Sequence, residues 1–298
     1  MPFDVRHPEI VQIVKHALEE DIGTGDVTSD ACVPAWKRAQ GRFVAREPIV
    51  VAGVELLPLI YELRGGNEEV KLVRQSGDSV DQGDVLATVR GRARALLACE
   101  RVALNFMQRL GGIATLARSY VDAVAGTKCR ILDTRKTTPG LRRLEKMAAE
   151  AGGVMNHRLG LFDAILIKNN HIEAAGGVRP ALKRALATGL PVEIEVRTPS
   201  ELDQALTGGA KHLLLDNLTP SQAAEQIRYI AGRATVELSG GITLETIREY
   251  AEAGADFISC GAITHSATAV DINFRLELSL APEEGSQSKT ADPVSRAQ

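Results

Sequence analysis

The chain has 298 residues, of which 44% are hydrophobic and 24% are charged, and its formal net charge is -3. This is the composition of a globular protein, and the length suffices for two domains or for one α/β barrel with an appendage. The weakly negative charge and the lack of a long apolar run argue against nucleic-acid or membrane partners.

The cysteines and the first residues indicate a cytoplasmic protein. The four cysteines, Cys32, Cys99, Cys129 and Cys260, are widely spaced and form no CxxC pair. The sequence begins Met-Pro-Phe-Asp, without the basic and apolar segments of a secretory signal. We therefore expect reduced thiols in a cytoplasmic chain.

The N-terminal part predicts one helix followed by a small β domain. Within residues 8–20, Ile10, Val14 and Leu18 recur at helical spacing. Short strand-like segments separated by turn residues then occupy residues 40–92. Residues 76–86 resemble a biotinyl or lipoyl carrier in pattern. No modifiable lysine follows at a hairpin tip, so only the β shape is predicted.

A long helical pattern follows, and then strands and helices alternate. We expect one helix from about residue 91, a break at Gly111-Gly112, and a second helix to about residue 125. The predicted strands of the second half are residues 129–132, 164–167, 192–196, 212–215, 235–238 and 257–259. The alternation predicts a parallel sheet, open or closed into a barrel. Six units are fewer than an eightfold barrel needs.

Cationic side chains follow the first predicted strands of this half. Because the carboxyl ends of parallel strands meet at one edge, these side chains are expected to gather there. The residues concerned are Arg135, Lys136, His157, Arg158, Lys168 and His171. Any one of them alone is typical of a solvated turn. Their concentration in an acidic chain predicts a polyanionic substrate.

Acidic residues and glycines follow the remaining strands. The third strand alternates, with Glu193 and Glu195 on a face that a buried parallel strand would normally fill with apolar residues. Together with Asp216, Glu195 is placed to hold a divalent metal or to contact sugar hydroxyls. The last two strands end in Ser239-Gly240-Gly241 and in Gly261-Ala262, with His265 just beyond, a pattern typical of phosphate-binding loops.

Two other interpretations of single motifs are weaker. Residues 21–26 resemble a cation-binding loop but lack EF-hand spacing, so we interpret them as a turn. Lys168 suits a Schiff-base aldolase, but that reaction leaves most of the neighbouring cations without a role.

Taken together, the motifs resemble the quinolinate phosphoribosyltransferase family. The resemblance runs in order from about residue 10 to residue 275. It is carried by residues 20–29, ERVALNFMQRLGGIAT (100–115), LDTRKTTPG (132–140), NHRLGL (156–161), IKNNHI (167–172), residues 192–196 and 213–217, ELSGGI (237–242) and GAITHS (261–266).

The resemblance implies an α/β fold: an irregular α/β barrel of fewer than eight clear units beside an N-terminal α/β sandwich domain. We assign residues 1–112 to the sandwich domain with its entry helix, residues 113–280 to the barrel, and residues 281–298 to a disordered tail. It also implies a homodimer, possible higher oligomers aside, in which one subunit completes the other's site.

The resemblance further implies a role for each site residue. Residues matching the quinolinate and phosphate sites are Arg101, Arg135, Lys136, His157, Arg158 and Lys168, with His171 beside them and Arg101 coming from the partner subunit. Residues matching the ribose and metal region are Glu195 and Asp216. Residues matching the 5′-phosphate site are Ser239, Gly240, Gly261 and His265. The catalytic set is Lys136, Glu195, Asp216 and Lys168.

The reaction implied is transfer of phosphoribosyl from phosphoribosyl pyrophosphate to quinolinate with decarboxylation, using Mg²⁺ and no organic cofactor. Three alternatives stay open at this point. They are a phosphoribosyltransferase acting on nicotinate, a related enzyme acting on another aromatic acid, and a phosphate-ligand binding protein without turnover.

Overall fold

A computed structural model describes residues 4–278. The predicted tail from residue 281 and the first three residues lie outside this range. The strands form a four-stranded antiparallel sheet, a six-stranded parallel sheet and a two-stranded ribbon. Within the described residues, no helix combines the length and the apolar content needed to cross a membrane.

The predicted first helix is confirmed as α1 (Pro8–Ile22). Its His7 side chain accepts the hydrogen bond of the Glu9 amide, and Pro8 occupies the first turn, where its missing N–H costs no helical hydrogen bond. Ile10, Val14 and Leu18 form its buried face. A short α2 (Val27–Cys32) follows, capped by the carboxylate of Asp26.

The predicted β domain is an antiparallel sheet with strand order β12-β1-β5-β3. Its strands are β1 (Arg38–Ala45), β3 (Asn67–Leu72), β5 (Val85–Arg92) and β12 (Ile272–Leu278). The ribbon β2 (Ile49–Val50) and β4 (Ser79–Val80) and the helix α3 (Leu56–Arg64) complete this part. The sequence pattern did not indicate that β12 returns to this sheet, where Phe274 packs on Phe43 at 4.9 Å between ring centroids.

The predicted helix break at Gly111-Gly112 is wrong, because α4 (Ala93–Ala123) runs through both glycines. A Cβ atom on Gly112 would lie 2.0 Å from the carbonyl oxygen of Thr268, and one on Gly111 would lie 2.9 Å from a methyl group of Val270. The lack of side chains at the two glycines therefore lets the segment that leads into β12 pack closely against α4. This packing outweighs the low helix propensity of glycine. Since α4 crosses residue 112, the domain boundary proposed there stays a prediction.

The second half contains the six predicted parallel strands, in the order β6-β11-β10-β9-β8-β7. The strands are β6 (Arg130–Leu132), β7 (Ile165–Ile167), β8 (Val192–Val196), β9 (His212–Asp216), β10 (Thr235–Ser239) and β11 (Phe257–Ser259). The helices are α5 (Arg142–Ala151), α6 (Asn169–Ala175), α7 (Val178–Leu186), α8 (Pro199–Thr207), α9 (Pro220–Ile230), α10 (Ile247–Glu252) and α11 (Ala262–His265).

This half is an irregular, incompletely closed barrel, as predicted. Among the described strands, β6 and β7 are the two edges of the parallel sheet and are not hydrogen-bonded to each other. The segment between α5 and β7 lies at this opening, where Met155 forms a bridge with Leu132 of β6. The loop that carries His157 and Arg158 thus starts at the edge of the sheet.

Candidate functional site

The pairing register brings the carboxyl ends of the parallel strands to one edge. Ser259 pairs with Leu132, Ser239 pairs with Asp216, and Leu215 pairs with Val196. The predicted site residues that follow these strands therefore leave the sheet side by side. We call residues 133–141 the β6 loop and residues 260–267 the β11 loop.

The interior face of the sheet is acidic. Glu193 and Glu195 of β8 and Glu237 of β10 occupy alternate positions, and Glu195 and Glu237 are buried. His157 Nε2 lies 3.2 Å from a carboxylate oxygen of Glu193 and 3.4 Å from one of Glu237. The charged face of β8 therefore meets an imidazole that the chain supplies from the loop after α5.

His157 favours its protonated form in this setting. Burial lowers the pKa of the imidazole, but the two carboxylates outweigh burial and raise it to about 9. In the neutral ring, Nδ1 accepts the Arg158 amide hydrogen at 2.8 Å and the proton sits on Nε2. Protonation gives up that one hydrogen bond and places a positive charge between Glu193 and Glu237. Both ring nitrogens thus face protein groups.

Two sets of side chains at the parallel sheet contain carboxylates of the kind that hold metal ions. The donor atoms of His157, Glu193 and Glu237 lie within 4.8 Å of one another, but an Nε2 that carries a proton is no ligand, and Mg²⁺ prefers oxygen. The predicted pair, Glu195 and Asp216, offers only carboxylate oxygens, the ligand type that Mg²⁺ prefers, and stays a prediction. One oxygen of each carboxylate already accepts a hydrogen bond, Oε1 of Glu195 from Arg197 and Oδ2 of Asp216 from Asn217.

The Glu195 carboxylate is nevertheless paired in this structure. Arg197 donates to Glu195 Oε1 from Nε at 3.0 Å and from a terminal nitrogen at 2.8 Å. Glu195 is buried, whereas the Arg197 side chain is about half exposed. An incoming cation or sugar hydroxyl therefore competes with Arg197 for this carboxylate.

Two guanidinium groups at the opening of the barrel lie near enough to interact electrostatically. Burial lowers the pKa of Arg158, and the positive charge of Arg135 lowers it further. Arg158 donates to the carbonyl oxygen of Ala164 at 3.1 Å. The Nε atom of Arg135 is buried and has no hydrogen-bond partner among the described residues. Adjacent guanidinium groups with a free donor are suited to an anionic ligand.

Lys136 lies over the glycine of the β11 loop. A Cβ atom on Gly261 would lie 2.7 Å from Lys136 Cδ and 3.2 Å from His265 Cδ2. A side chain at position 261 would displace Lys136, so glycine keeps Lys136 and His265 close to the backbone here. The structure therefore brings Lys136 close to Gly261 and His265, which follow it in the sequence by more than a hundred residues.

The loops after β9 and β10 also touch. Gly240 has a φ of +93°, and a Cβ atom on it would lie 2.3 Å from the side-chain oxygen of Asn217. The Asn217 amide donates to the carbonyl oxygen of Ser239 at 2.9 Å, and its side chain donates to Asp216 at 2.6 Å. Asp216 thus lies beside the predicted phosphate residues Ser239 and Gly240.

Lys168 and His171 follow the edge strand β7. The Lys168 amide donates to His171 Nδ1 at 2.9 Å, and both side chains are exposed. His171 and Arg158 line one cavity of about 370 Å³. A larger cavity of about 410 Å³ adjoins the β6 loop at Gly140 and lies among α1, α4 and α5. No predicted site residue lines the larger cavity.

Arg101 stands apart from these groups in the single chain. It is exposed on α4, and no described residue forms an ion pair with it in this structure. Its predicted place in a partner's site stays a prediction.

Other residues of the site were not identified from the sequence. Glu237 carries the same signal as Glu193, a charge within a buried parallel strand, and that signal suffices to find it. Asp133 and Lys146 form a buried ion pair, and Asp133 also accepts the His157 amide hydrogen at 2.8 Å. No motif spacing indicates that pair.

The fold and the site define an α/β enzyme scaffold that presents cations and glycine loops at its strand ends, above an acidic interior. This is a class suited to phosphorylated, multiply charged substrates.

Comparisons with known proteins identify the family. Residues 26–111 match the family described as "Quinolinate phosphoribosyl transferase, N-terminal domain", and residues 113–275 match its "C-terminal domain". The chain belongs to the quinolinate phosphoribosyltransferase family, which confirms the predicted resemblance. The two matches together cover most of the chain.

Named relatives and solved structures agree. A probable nicotinate-nucleotide pyrophosphorylase (carboxylating) of Bacillus subtilis is 39% identical, over 92% of this chain and 96% of its own length. The corresponding Mycobacterium leprae protein is 43% identical, over 88% of this chain and 95% of its own. The crystal structure of NadC from Streptococcus pyogenes has a TM-score of 0.87 and 36% identity, and covers 93% of this chain and 98% of its own.

Proposed function

We propose that the protein transfers the phosphoribosyl group of 5-phosphoribosyl 1-pyrophosphate to the ring nitrogen of quinolinate. The ring then loses its 2-carboxylate as CO₂, and the products are nicotinate mononucleotide and pyrophosphate. This reaction belongs to de novo NAD biosynthesis. Family membership and the names of the relatives support the proposal.

The observation that carries the proposal is the pair of guanidinium groups, Arg135 and Arg158. The two positive charges lie close enough for Arg135 to lower the pKa of Arg158. Arg135 also offers a buried Nε donor that no described residue accepts. A ligand with two adjacent carboxylates pairs with both groups, whereas one carboxylate leaves a cation unpaired. Quinolinate has two such carboxylates and nicotinate has one.

The sugar is expected to lie between the glycine loops and the acidic interior. Gly240 and Gly261 allow backbone amides to approach the 5′-phosphate, with Lys136 supplying positive charge and His265 a ring nitrogen. Glu195 and Asp216 then face the ribose. As pyrophosphate leaves, C1 becomes oxocarbenium-like, and nearby carboxylates stabilise that charge electrostatically.

The nitrogen of quinolinate attacks C1 as the bond to pyrophosphate breaks. Holding both carboxylates fixes the ring in line for this attack. Once the nitrogen is quaternised, the C–CO₂ bond breaks, the ring accepts its electron pair, and a proton replaces the carboxylate. At the end of β7, Lys168 and His171 present an exposed ammonium group and an exposed imidazole at this edge of the sheet. No protein nucleophile takes part.

Mg²⁺ enters as part of the proposal. Glu195 and Asp216 are the carboxylates that would hold it beside the sugar, and it would neutralise the pyrophosphate as that group departs. The need for Mg²⁺, the homodimer with shared sites and the cytoplasmic location are proposals. Unpaired thiols support the location, since the four cysteines, all of them described, form no disulfide.

One assay tests the function against its alternatives. Quinolinate labelled in the 2-carboxylate should release labelled CO₂ only when phosphoribosyl pyrophosphate is present. A binding protein without turnover releases none. An enzyme for nicotinate or for another aromatic acid should consume phosphoribosyl pyrophosphate with that acid and leave quinolinate intact, which would overturn the proposal.

A further inference from the structure

A buried ion pair joins the two loops that carry Lys136 and Gly261. Glu145 of α5 is fully buried, and Arg109 of α4 donates to its Oε1 from Nε at 3.2 Å and from a terminal nitrogen at 2.8 Å. On the β6 loop, the Thr138 hydroxyl donates to the same oxygen at 2.7 Å. The carboxylate of Glu145 therefore fixes the β6 loop to both helices.

The same guanidinium group also holds the β11 loop. Arg109 donates to the carbonyl oxygen of Thr264 at 2.6 Å and to that of Ala267 at 2.8 Å. Arg109 thus donates both to Glu145, which holds the β6 loop, and to two carbonyl groups of the β11 loop. One ion pair therefore connects the two loops. Neither loop can shift without breaking a buried, charge-assisted hydrogen bond.

A direct contact completes the connection. Thr264 is fully buried, and its hydroxyl donates to the carbonyl oxygen of Lys136 at 2.7 Å. On the other side, the Lys136 amide donates to the Thr134 hydroxyl at 3.1 Å. The backbone of Lys136 is thus held at both its N–H and its carbonyl group, while its side chain packs over Gly261, whose other neighbour is His265.

We infer that Thr264, supported by the Arg109–Glu145 ion pair, is a positioning residue that fixes Lys136 against Gly261 and His265. Its hydroxyl touches no reacting atom and acts through the backbone of Lys136. The inference rests on the proposed function for the identity of the ligand, a 5-phosphorylated ribose. The function expected of Thr264 is to set the affinity for that phosphate.

The test compares Thr264→Val, which keeps the shape and removes the hydroxyl, with Thr264→Ser, which restores the hydroxyl. Ribose 5-phosphate is the binding probe, measured by titration calorimetry. Loss of one buried hydrogen bond should raise its Kd by about three- to tenfold in Thr264→Val, with Thr264→Ser close to the unaltered protein. With both substrates, the KM for phosphoribosyl pyrophosphate should rise while the KM for quinolinate stays unchanged.

A matched control is Thr127→Val. The Thr127 hydroxyl also donates to a backbone carbonyl, that of Val124 at 2.8 Å, but it lies before the amino end of β6. This variant should bind ribose 5-phosphate as the unaltered protein does. If Thr264→Val fails to fold, Glu145→Gln should show the same selective loss.

Three results of the binding experiment overturn the inference. They are unchanged ribose 5-phosphate affinity in Thr264→Val, failure of Thr264→Ser to restore it, and no binding of the probe by the unaltered protein. An equal rise of both KM values with a lowered unfolding temperature also overturns it, since that indicates a structural role. Failure of the proposed function is seen separately, as absent CO₂ release from quinolinate by a protein that binds the probe.

Discussion

His157 Nε2 lies 3.2 Å from a carboxylate oxygen of Glu193, inside the parallel sheet. Glu237 approaches the same nitrogen at 3.4 Å, so two carboxylates share one ring. Glu237→Gln should lower the pKa of His157 from about 9 toward the ordinary histidine value, because burial then acts against one carboxylate only. Titration of the imidazole by NMR measures this, with the exposed Glu252→Gln as control. An unchanged titration midpoint would contradict the assignment.

The same contact predicts how stability depends on pH. The folded pKa of His157 lies above its unfolded value of about 6.5, so the protonated ring stabilises the fold. This contribution is fully present below about pH 6.5 and is lost as the pH rises through about 9. The free energy of unfolding in urea should fall over that interval, and should fall less in Glu237→Gln. Equal slopes in both proteins would argue against a charged His157.

The sequence predicted the strands of the barrel and the charged residues at their carboxyl ends, because both leave local signals. Each predicted strand is a short apolar run, and the charges after it mark the carboxyl end where Lys136, Lys168 and Asp216 lie. The alternation of charged and apolar residues in β8 likewise indicates that Glu193 lies on an interior face of the sheet. The parallel register then gathers such residues without any further information from the sequence.

Contacts between distant segments left no such signal. The low helix propensity of Gly112 predicts a helix break, because its close contact with Thr268, more than 150 residues away, cannot be seen in the local sequence. The strand β12 pairs with β1 more than two hundred residues away. The Arg109–Glu145 ion pair joins α4 to α5, and its acceptors on the β11 loop are backbone carbonyls, which no side-chain motif can indicate.

Lys136→Ala and Arg158→Ala should each lose activity while the fold survives. Both residues lie at the strand ends and are at least partly exposed, so little packing is lost. Loss of one charge-assisted contact to an anionic substrate should reduce kcat/KM by about a hundredfold or more. The exposed Lys71→Ala, on β3, is the control for removing a cation. Wild-type kinetics, or an activity loss explained by unfolding in circular dichroism, would contradict this expectation.

Removal of divalent cations should abolish turnover. Pyrophosphate carries several negative charges as it leaves, and the protein cations alone do not neutralise it as effectively as a bound metal ion does. Activity measured in excess chelator should fall to background, and added Mg²⁺ should restore it. Full turnover in the chelator would refute the proposed metal requirement.

Lys146→Met should destabilise the fold through the charge that it leaves behind. Asp133 is fully buried and Lys146 nearly so, and the two form an ion pair beneath His157. Removing one partner of a buried pair typically costs about 3–5 kcal/mol. The double variant Asp133→Asn, Lys146→Met removes both charges and keeps an acceptor for the His157 amide. Urea denaturation should show the double variant to be more stable than Lys146→Met. The reverse order would contradict the argument.

The last prediction concerns Arg101, which is exposed on α4 and is paired with no described residue of its own chain. In the single chain its guanidinium is a solvated helix charge. The family resemblance places it in the site of the partner subunit, where it can meet a substrate carboxylate in bidentate fashion. Arg101→Ala should then be nearly inactive although its own strand ends are intact, and Lys136→Ala should be nearly inactive as well.

Mixing the two variants separates action across the interface from action within one chain. In a heterodimer, one site lacks both residues and the other site lacks neither. Activity should therefore return on reassembly, to about a quarter of the unaltered value if subunits mix at random and one site in each heterodimer works. Native mass spectrometry, or purification through two different affinity tags, shows whether heterodimers form. If heterodimers form and the mixture stays as inactive as both parents, Arg101 does not complete the site of its partner.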